Sequence, residues 1–489
     1  MNFRVISKYM GNILMLEGAF MLPAIIVALI YKEFSSIPAL VISILLCLFI
    51  GYILSKVKQN NRGIYAKEAY VSVALGWIIL SFFGCLPFVF SGYIPSLVDA
   101  FFETVSGFTT TGSSILTNVE LLSKSMLYWR SFTHWLGGMG VLVFLMAIVP
   151  MSNTKGSGEG LALMRAESPG PSVGKMTPTL RETARLLYMI YMVITVAEMV
   201  LLVISGMPLY DSIVTSFATA GTGGFGIKAD SIDGYNYLSQ TIVAVFMMLF
   251  GVNFSLYYLI LMRKVKDAFA NEELKVYLSV VALSTLIIFF NVKGMYDNSG
   301  VALLDSYFSV SSIITTTGFA TANFDIWPQL SRFILVALMI CGASAGSTGG
   351  GVKVSRVIIM WKAIKREIIA VISPRKVKTI TMDGKPVSEV VIKNTLTYFC
   401  VYWFIAIGSM FLLTIIDGFN TEVTVTSVMA CLNNIGPGLD MIGPAGNYSM
   451  FSPVSKIILS LNMLIGRLEI WPMLLLFTPS IYKNTTKKI

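Results

Sequence analysis

The chain has 489 residues, of which 55% are hydrophobic and only 13% charged, and its mean hydropathy is +0.75. Long apolar stretches with so few charges need a bilayer as solvent, which excludes a soluble globular protein. The net charge of +10 does not indicate nucleic acid either, because the basic residues lie in short links between apolar segments, the positive-inside pattern.

The first two apolar segments run from about Gly11 to Ile30 and from Ile37 to Leu54. No cleavage site of small residues follows the first, so a removable leader is not expected. A basic link with Lys56, Lys58, Arg62 and Lys67 separates this hairpin (1–62) from four longer units. Each unit has a first span, a short apolar segment ending in a Thr/Gly turn, and a second span.

Unit one (63–177) has spans near Ala69–Phe90 and Trp129–Ile148, and a link with Lys155, Arg165, Lys175, Pro169 and Pro171. Unit two (178–268) follows Pro178 and has spans near Leu186–Ile204 and Ile242–Leu261. Unit three (269–385) has spans near Val276–Phe290 and Phe333–Trp361, and unit four (386–489) has them near Leu396–Ile415 and Val454–Leu476. The expected fold is an all-α integral membrane protein of ten spans, with four pseudo-repeated span–pore-loop–span units around one central pore.

Self-comparison is what reveals the repeat. Asp99 to Gly112 (DAFFETVSGFTTTG), Asp211 to Gly223 and Asp305 to Gly318 share an Asp-to-Gly spacing of 13, 12 and 13. A more distant copy ends at Gly438. The four segments carrying the turns hold twelve Asp/Glu and four Lys/Arg, whereas the links are basic. This predicts cytoplasmic links and termini, with turns opening outward.

Irregular backbone at membrane depth is tolerated only where protein buries it or a watery cavity lines it. Glycine permits positive φ, so successive carbonyls can point inward and replace the water shell of a monovalent cation. The short helices would end at the turns, and a helix C-terminus carries partial negative charge. The expected ligands are the carbonyls of Thr110, Thr111 and Gly112; Gly221, Thr222 and Gly223; Thr316, Thr317 and Gly318; and Gly436, Pro437 and Gly438.

Unit three's second span contains Gly342-Ala-Ser-Ala-Gly-Ser-Thr-Gly-Gly-Gly351. Each Gly costs ~1 kcal/mol of helix stability relative to Ala, so the span should break there. The expected result is a gating loop below the turns, using Gly342, Gly346, Gly349, Gly350 and Gly351. Close helix packing is the plainer reading of small residues. Arg467 lies within the last span, where an unpartnered arginine costs at least ~2.5 kcal/mol. It is expected to face the pore beside the loop. Glu469, two residues on, is on the wrong helix face to pair with it.

Enzyme chemistry finds no support. The five cysteines (Cys47, Cys85, Cys341, Cys400, Cys431) have no metal or disulfide spacing, and His134 is the single histidine. Gly221–Gly226 matches a dinucleotide pattern without its strand, and Gly346–Lys353 resembles a phosphate loop with an extra Val352.

The segments 105–114 (VSGFTTTGSS), 128–140 (YWRSFTHWLGGMG), 344–353 (SAGSTGGGVK), 433–438 (NNIGPG) and 466–469 (GRLE) resemble the Trk/Ktr/HKT superfamily of potassium transporters, nearest its bacterial TrkH type. The resemblance implies potassium uptake across the bacterial cytoplasmic membrane, with K+ as the transported ion and no organic cofactor on this chain. It also implies a homodimer with one pore per subunit. A separate cytosolic regulatory subunit of the TrkA kind, binding NAD or ATP/ADP, is implied as well. The family's selectivity glycines carry over to Gly112, Gly223, Gly318 and Gly438, its gate loop to Gly342–Gly351, and its pore arginine to Arg467. Glycine rather than serine at Gly112 goes with potassium in this superfamily. Coupling of the flux to Na+ or H+ remains open at this point.

Overall fold

The computed structural model describes residues 1–57, 66–140, 180–374 and 378–482. The expected boundaries at 62/63 and 177/178 lie outside the described residues. So do Lys58, Arg62, residues 141–148 of the Trp129–Ile148 span, the link residues Lys155, Arg165, Pro169, Pro171, Lys175 and Pro178, and Lys483, Lys487 and Lys488.

Nearly all regular structure is helical. The N-terminal hairpin is α1 (Phe3–Ile30) and α2 (Ile37–Ser55). Two glycines let its helices touch backbone to backbone: a Cβ on Gly51 would come within 2.8 Å of the Gly11 oxygen, the close approach small residues allow in lipid. Unit one follows as α3 (Ala66–Gly84), α4 (Leu86–Phe90), α5 (Leu97–Phe108) and α6 (Lys124–Gly138). Unit two is α7 (Leu180–Ile204), α8 (Leu209–Gly221), α9 (Tyr237–Phe250) and α10 (Phe254–Leu261), followed by the short link helix α11 (Val265–Ala270). Unit three is α12 (Glu272–Val292), α13 (Ser299–Ile314), α14 (Gln329–Cys341) and α15 (Val354–Ile372). Unit four is α16 (Glu389–Ile416), α17 (Thr421–Leu432), α18 (Pro453–Arg467) and α19 (Trp471–Leu476). The described strands are β1 (Thr381–Met382) and β2 (Lys385–Pro386), antiparallel with Thr381 opposite Pro386. Asp383 and Gly384 between them both have positive φ, as a two-residue hairpin turn requires.

Among the described residues, six helical segments are long and apolar enough to cross a membrane: the two hairpin helices and the first span of each unit. The second spans differ from expectation. Uninterrupted helices were predicted except at the glycine run, but α6, α9, α14 and α18 have only 15, 14, 13 and 15 residues. At 1.5 Å per residue that is roughly 20 Å, short of a ~30 Å hydrocarbon core. Unit two's second span bends by 90° between α9 and α10. Unit four's breaks at Glu469 and Ile470, both at positive φ. The spans therefore stop near one another in the interior, and the Gly342–Gly351 segment fills the break in unit three.

The short helices α5, α8, α13 and α17 begin at capping residues where the sequence supplies them. Ser96 Oγ accepts from the Asp99 N–H, Asn298 Oδ1 from Gly300 and Asn420 Oδ1 from Val423, each satisfying an orphan donor of the first turn. All four end at the Thr/Gly turns.

Candidate functional site

The backbone gives the four turns one conformation. Thr110, Thr222, Thr316 and Asn434 lie at φ 55°, 56°, 61° and 56°, and two residues later Gly112, Gly224, Gly318 and Gly436 lie at φ 84°, 73°, 84° and 99°. The hydrogen bonds repeat as well. The N–H groups of Thr111, Gly223, Thr317 and Ile435 donate to the Ser106, Ala218, Ser312 and Ala430 oxygens at 2.8–2.9 Å. Positive φ at alternate residues is the kind of backbone that lets successive carbonyls face one side.

This register corrects the sequence alignment in two walls. The triplets in line are Thr110-Thr111-Gly112, Thr222-Gly223-Gly224, Thr316-Thr317-Gly318 and Asn434-Ile435-Gly436. Gly221-Thr222-Gly223 was set one residue early, and Gly436-Pro437-Gly438 two residues late. Gly224 and Gly436, not Gly223 and Gly438, stand level with Gly112 and Gly318. Asn434 and Ile435 stand where walls one and three have two threonines and wall two has Thr222 and Gly223. A signal for wall two was present: taking Gly224 as the equivalent restores a spacing of 13 from Asp211.

The four turns meet in a closed ring. A Cβ on Gly112 would collide with the Gly223 oxygen, one on Gly224 with the Thr317 oxygen, and one on Gly318 with the Ile435 oxygen. A Cβ on Gly436 would lie 2.8 Å from the Thr111 oxygen. Each glycine thus packs against the carbonyl preceding the equivalent glycine of the next wall, and wall four returns to wall one.

The ring's oxygens have almost no donors among the described residues. Among the described residues, no N–H or O–H donates to the main-chain oxygens of Thr110, Thr111, Gly112, Thr222, Gly223, Gly224, Thr316, Thr317, Gly318, Asn434 or Ile435. Gly436 is the exception: its oxygen accepts from Ser113 Oγ at 3.2 Å and Tyr448 Oη at 2.8 Å. Its carbonyl is therefore directed to protein donors, contrary to the expectation that it is a ligand. The threonines of the ring are fully buried. A cleft outside the ring is lined by Gly112, Gly224, Gly318 and Gly436, with Lys228, Asn447 and Tyr448 further out.

Below the ring lies the glycine segment. Gly342, Gly346 and Gly351 have φ 71°, 69° and 77°. Gly349 packs against the Thr315 oxygen and Gly350 against the Asn433 oxygen, at the bases of walls three and four. The Gly350 N–H donates to Thr316 Oγ1 at 2.6 Å. The segment is also tied to the bend of unit two: the Ser344 N–H donates to Gly251 and the Phe254 N–H to Gly346, at 3.1 and 3.0 Å. The Lys353 ammonium donates to the Gly349 oxygen. One oxygen of the Glu273 carboxylate accepts from the N–H groups of Ala345 and Ser355, at 2.7 and 3.1 Å.

Arg467 reaches this segment. It donates to the Thr348 oxygen at 2.7 Å and to the Gly137 and Gly138 oxygens at 2.6 Å. It therefore spans from unit four to the loop and to the end of α6. Glu469 pairs instead with Arg356, whose guanidinium lies 4.0 Å from the Tyr398 ring centre.

Outside the ring, Asp325 accepts the Asp440 N–H at 2.9 Å, and Arg332 pairs with Glu422. Burial raises the Asp325 carboxyl above its ordinary value, opposed by the Asp440 N–H and Arg332.

Long apolar helices, broken helices and short helices ending at four turns that close into one ring define an all-α integral membrane protein. The chain matches the TrkH family model, described as a cation transport protein, over residues 36–295 and 274–484. It is 36% identical to the Trk system potassium uptake protein TrkH of Salmonella typhimurium over 99% of this chain and all of that protein. It is 31% identical to the Trk system potassium uptake protein TrkG of Escherichia coli, covering 98% and 99% of the two chains. The crystal structure of the potassium transporter TrkH from Vibrio parahaemolyticus is similar at a TM-score of 0.88 and 30% identity, covering 99% of this chain and all of that one. The chain belongs to the TrkH family.

Proposed function

We propose that this chain takes up potassium across the bacterial cytoplasmic membrane, through the ring formed by its four turns. The observation that carries this reading is the set of main-chain oxygens, without a donor among the described residues, contributed by four walls that close into one ring. A buried acceptor without a partner costs roughly 1–3 kcal/mol, and a partly dehydrated monovalent cation is the partner that such a set fits. The potassium uptake in the names of full-length relatives supports the choice of ion. Purified protein in sealed vesicles should pass K+ and Rb+ in preference to Na+; folded protein without flux would overturn the proposal.

The Gly342–Gly351 segment acts as the gate, and Arg467 holds it under the ring. Its bonds to Thr348 and to Gly137 and Gly138 support this role. Arg467→Ala should raise basal flux severalfold, and lowered flux with intact folding would reject the role. The proposal extends to cytoplasmic termini, a homodimer, and control by a separate nucleotide-binding cytosolic subunit of the TrkA kind. The words "Trk system" in the relatives' names support a multi-component assembly. Mass measurement in detergent and co-purification with such a subunit test these points.

A further inference from the structure

We propose that Glu103 and Arg130, which do not face the ion, form a positioning pair that sets the width of the ring and so its discrimination of potassium from sodium. The proposal rests on the ion-selective reading of the ring.

Both side chains are buried, at 1% and 4% exposure, and Arg130 Nε lies 2.7 Å from Glu103 Oε1. Glu103 sits on α5, Arg130 on α6. The carboxylate also accepts from Ser114 Oγ and the Ile115 N–H, each at 2.9 Å, just beyond Gly112. Arg130 Nη1 donates to the Gly226 oxygen at 3.1 Å, just beyond Gly224. Its guanidinium lies 3.4 Å from the Phe225 ring centre. Phe225 in turn packs on His134, whose Nδ1 lies 2.7 Å from the Gly107 oxygen. One ion pair therefore fixes the outgoing strands of walls one and two, each within three residues of a ring glycine.

The other seams are joined differently: the Arg332–Glu422 pair between units three and four has a glutamate 40% exposed, and the Lys456–Asp99 pair between units four and one has an aspartate 28% exposed, so neither is sealed from water as Glu103–Arg130 is. Wall two meets wall three through the Ile232 N–H on the Ala320 oxygen and the Ala320 N–H on Ser231 Oγ. Wall four meets wall one through Ser113 Oγ on the Gly436 oxygen, the Tyr448 N–H on the Ser114 oxygen and the Asn434 amide on Thr111 Oγ1. Neutral hydrogen bonds, and ion pairs whose carboxylate reaches solvent, can lengthen cheaply. A buried, fully hydrogen-bonded ion pair cannot, because any displacement exposes an uncompensated charge to low dielectric. Sodium is the smaller ion, and oxygens that cannot close in on it cannot replace its water. A rigid seam beside walls one and two is what holds those oxygens apart.

The test uses the full-length protein in planar bilayers or vesicles, with K+ and Na+ on opposite sides. Reversal potentials give a permeability ratio, which a mere loss of folded protein does not change. Glu103→Gln should lower the K+ preference about tenfold, the size of couplings within one hydrogen-bonded network. Arg130→Lys keeps the charge but cannot reach Glu103 and Gly226 together, so it should lie between wild type and Glu103→Gln. The double variant Glu103→Gln with Arg130→Met removes both charges, leaves none unpaired, and guards against misfolding. A folded double variant with the wild-type ratio would overturn the pair's role while leaving the ion-selective reading standing. A wild type with no preference between the ions would overturn both.

Discussion

Each ring glycine carries two demands at once, a left-handed backbone and no Cβ where the next wall's oxygen lies. Gly224 shows how the two combine. Its φ is 73° and a side chain would strike the Thr317 oxygen. Gly224→Ser should therefore lower the K+ preference over Na+ in reversal-potential measurements, as Gly318→Ser should. Gly438→Ala should do so far less, because Gly438 lies two residues beyond the ring and its would-be neighbours are the Ile442 and Thr426 side chains. Equal effects at Gly224 and Gly438 would reject the register. The sequence made Gly112 and Gly318 legible through identical TTTG runs. It hid Gly224 because Gly223 beside it is also glycine, and hid Gly436 because a second glycine follows at Gly438. Dihedral angles separate neighbours that residue type cannot.

At the level of elements, the loop below the ring is fastened at both ends by one carboxylate. Glu273 accepts the N–H groups of Ala345 and Ser355. It stands in the first turn of α12, where its neighbour Glu272 pairs with Lys362 of α15 at 2.5 Å. Asp383 of the β1–β2 turn caps the same helix through the Glu272 N–H at 2.7 Å. The β1–β2 hairpin, a helix start and the loop are thus joined through consecutive residues. Glu273→Gln weakens a charged acceptor to a neutral one, so basal flux should rise severalfold with the permeability ratio unchanged. A changed ratio with unchanged basal flux would contradict this division of labour. The break in unit three was legible because ten small residues cannot stay helical. The breaks at Gly251–Asn253 and Glu469–Ile470 were not, since one glycine with one asparagine, or an arginine with a glutamate, marks a polar point in a span without saying that the helix ends there. The contacts of the loop and of Arg467 impose them.

For the molecule as a whole, closure of the ring depends on seams between segments far apart in sequence. Lys456 of α18 lies 2.6 Å from Asp99 of α5, which fastens the last unit to the first. The lysine is buried and the aspartate partly exposed. Lys456→Met should therefore lower stability by about 2 kcal/mol, between the exposed and fully buried cases. Thermal unfolding in detergent would show it, with Asp99→Asn giving no further loss in the double variant; fully additive losses would mean that the two do not act as a pair. Composition and charge made the membrane class and the six long spans legible, because hydropathy is a local property. The meeting of four distant turns is not local, and only repetition hinted at it.

The four walls are not copies, and each occurs once per polypeptide. In an assembly of identical subunits, a single codon change would alter every corner together. Here it alters a quarter of the aperture, so the odd corner of Asn434, Ile435 and Gly436 could diverge without dragging its counterparts along. Exchanging one corner at a time supplies a graded dose of perturbation that a symmetric assembly does not offer.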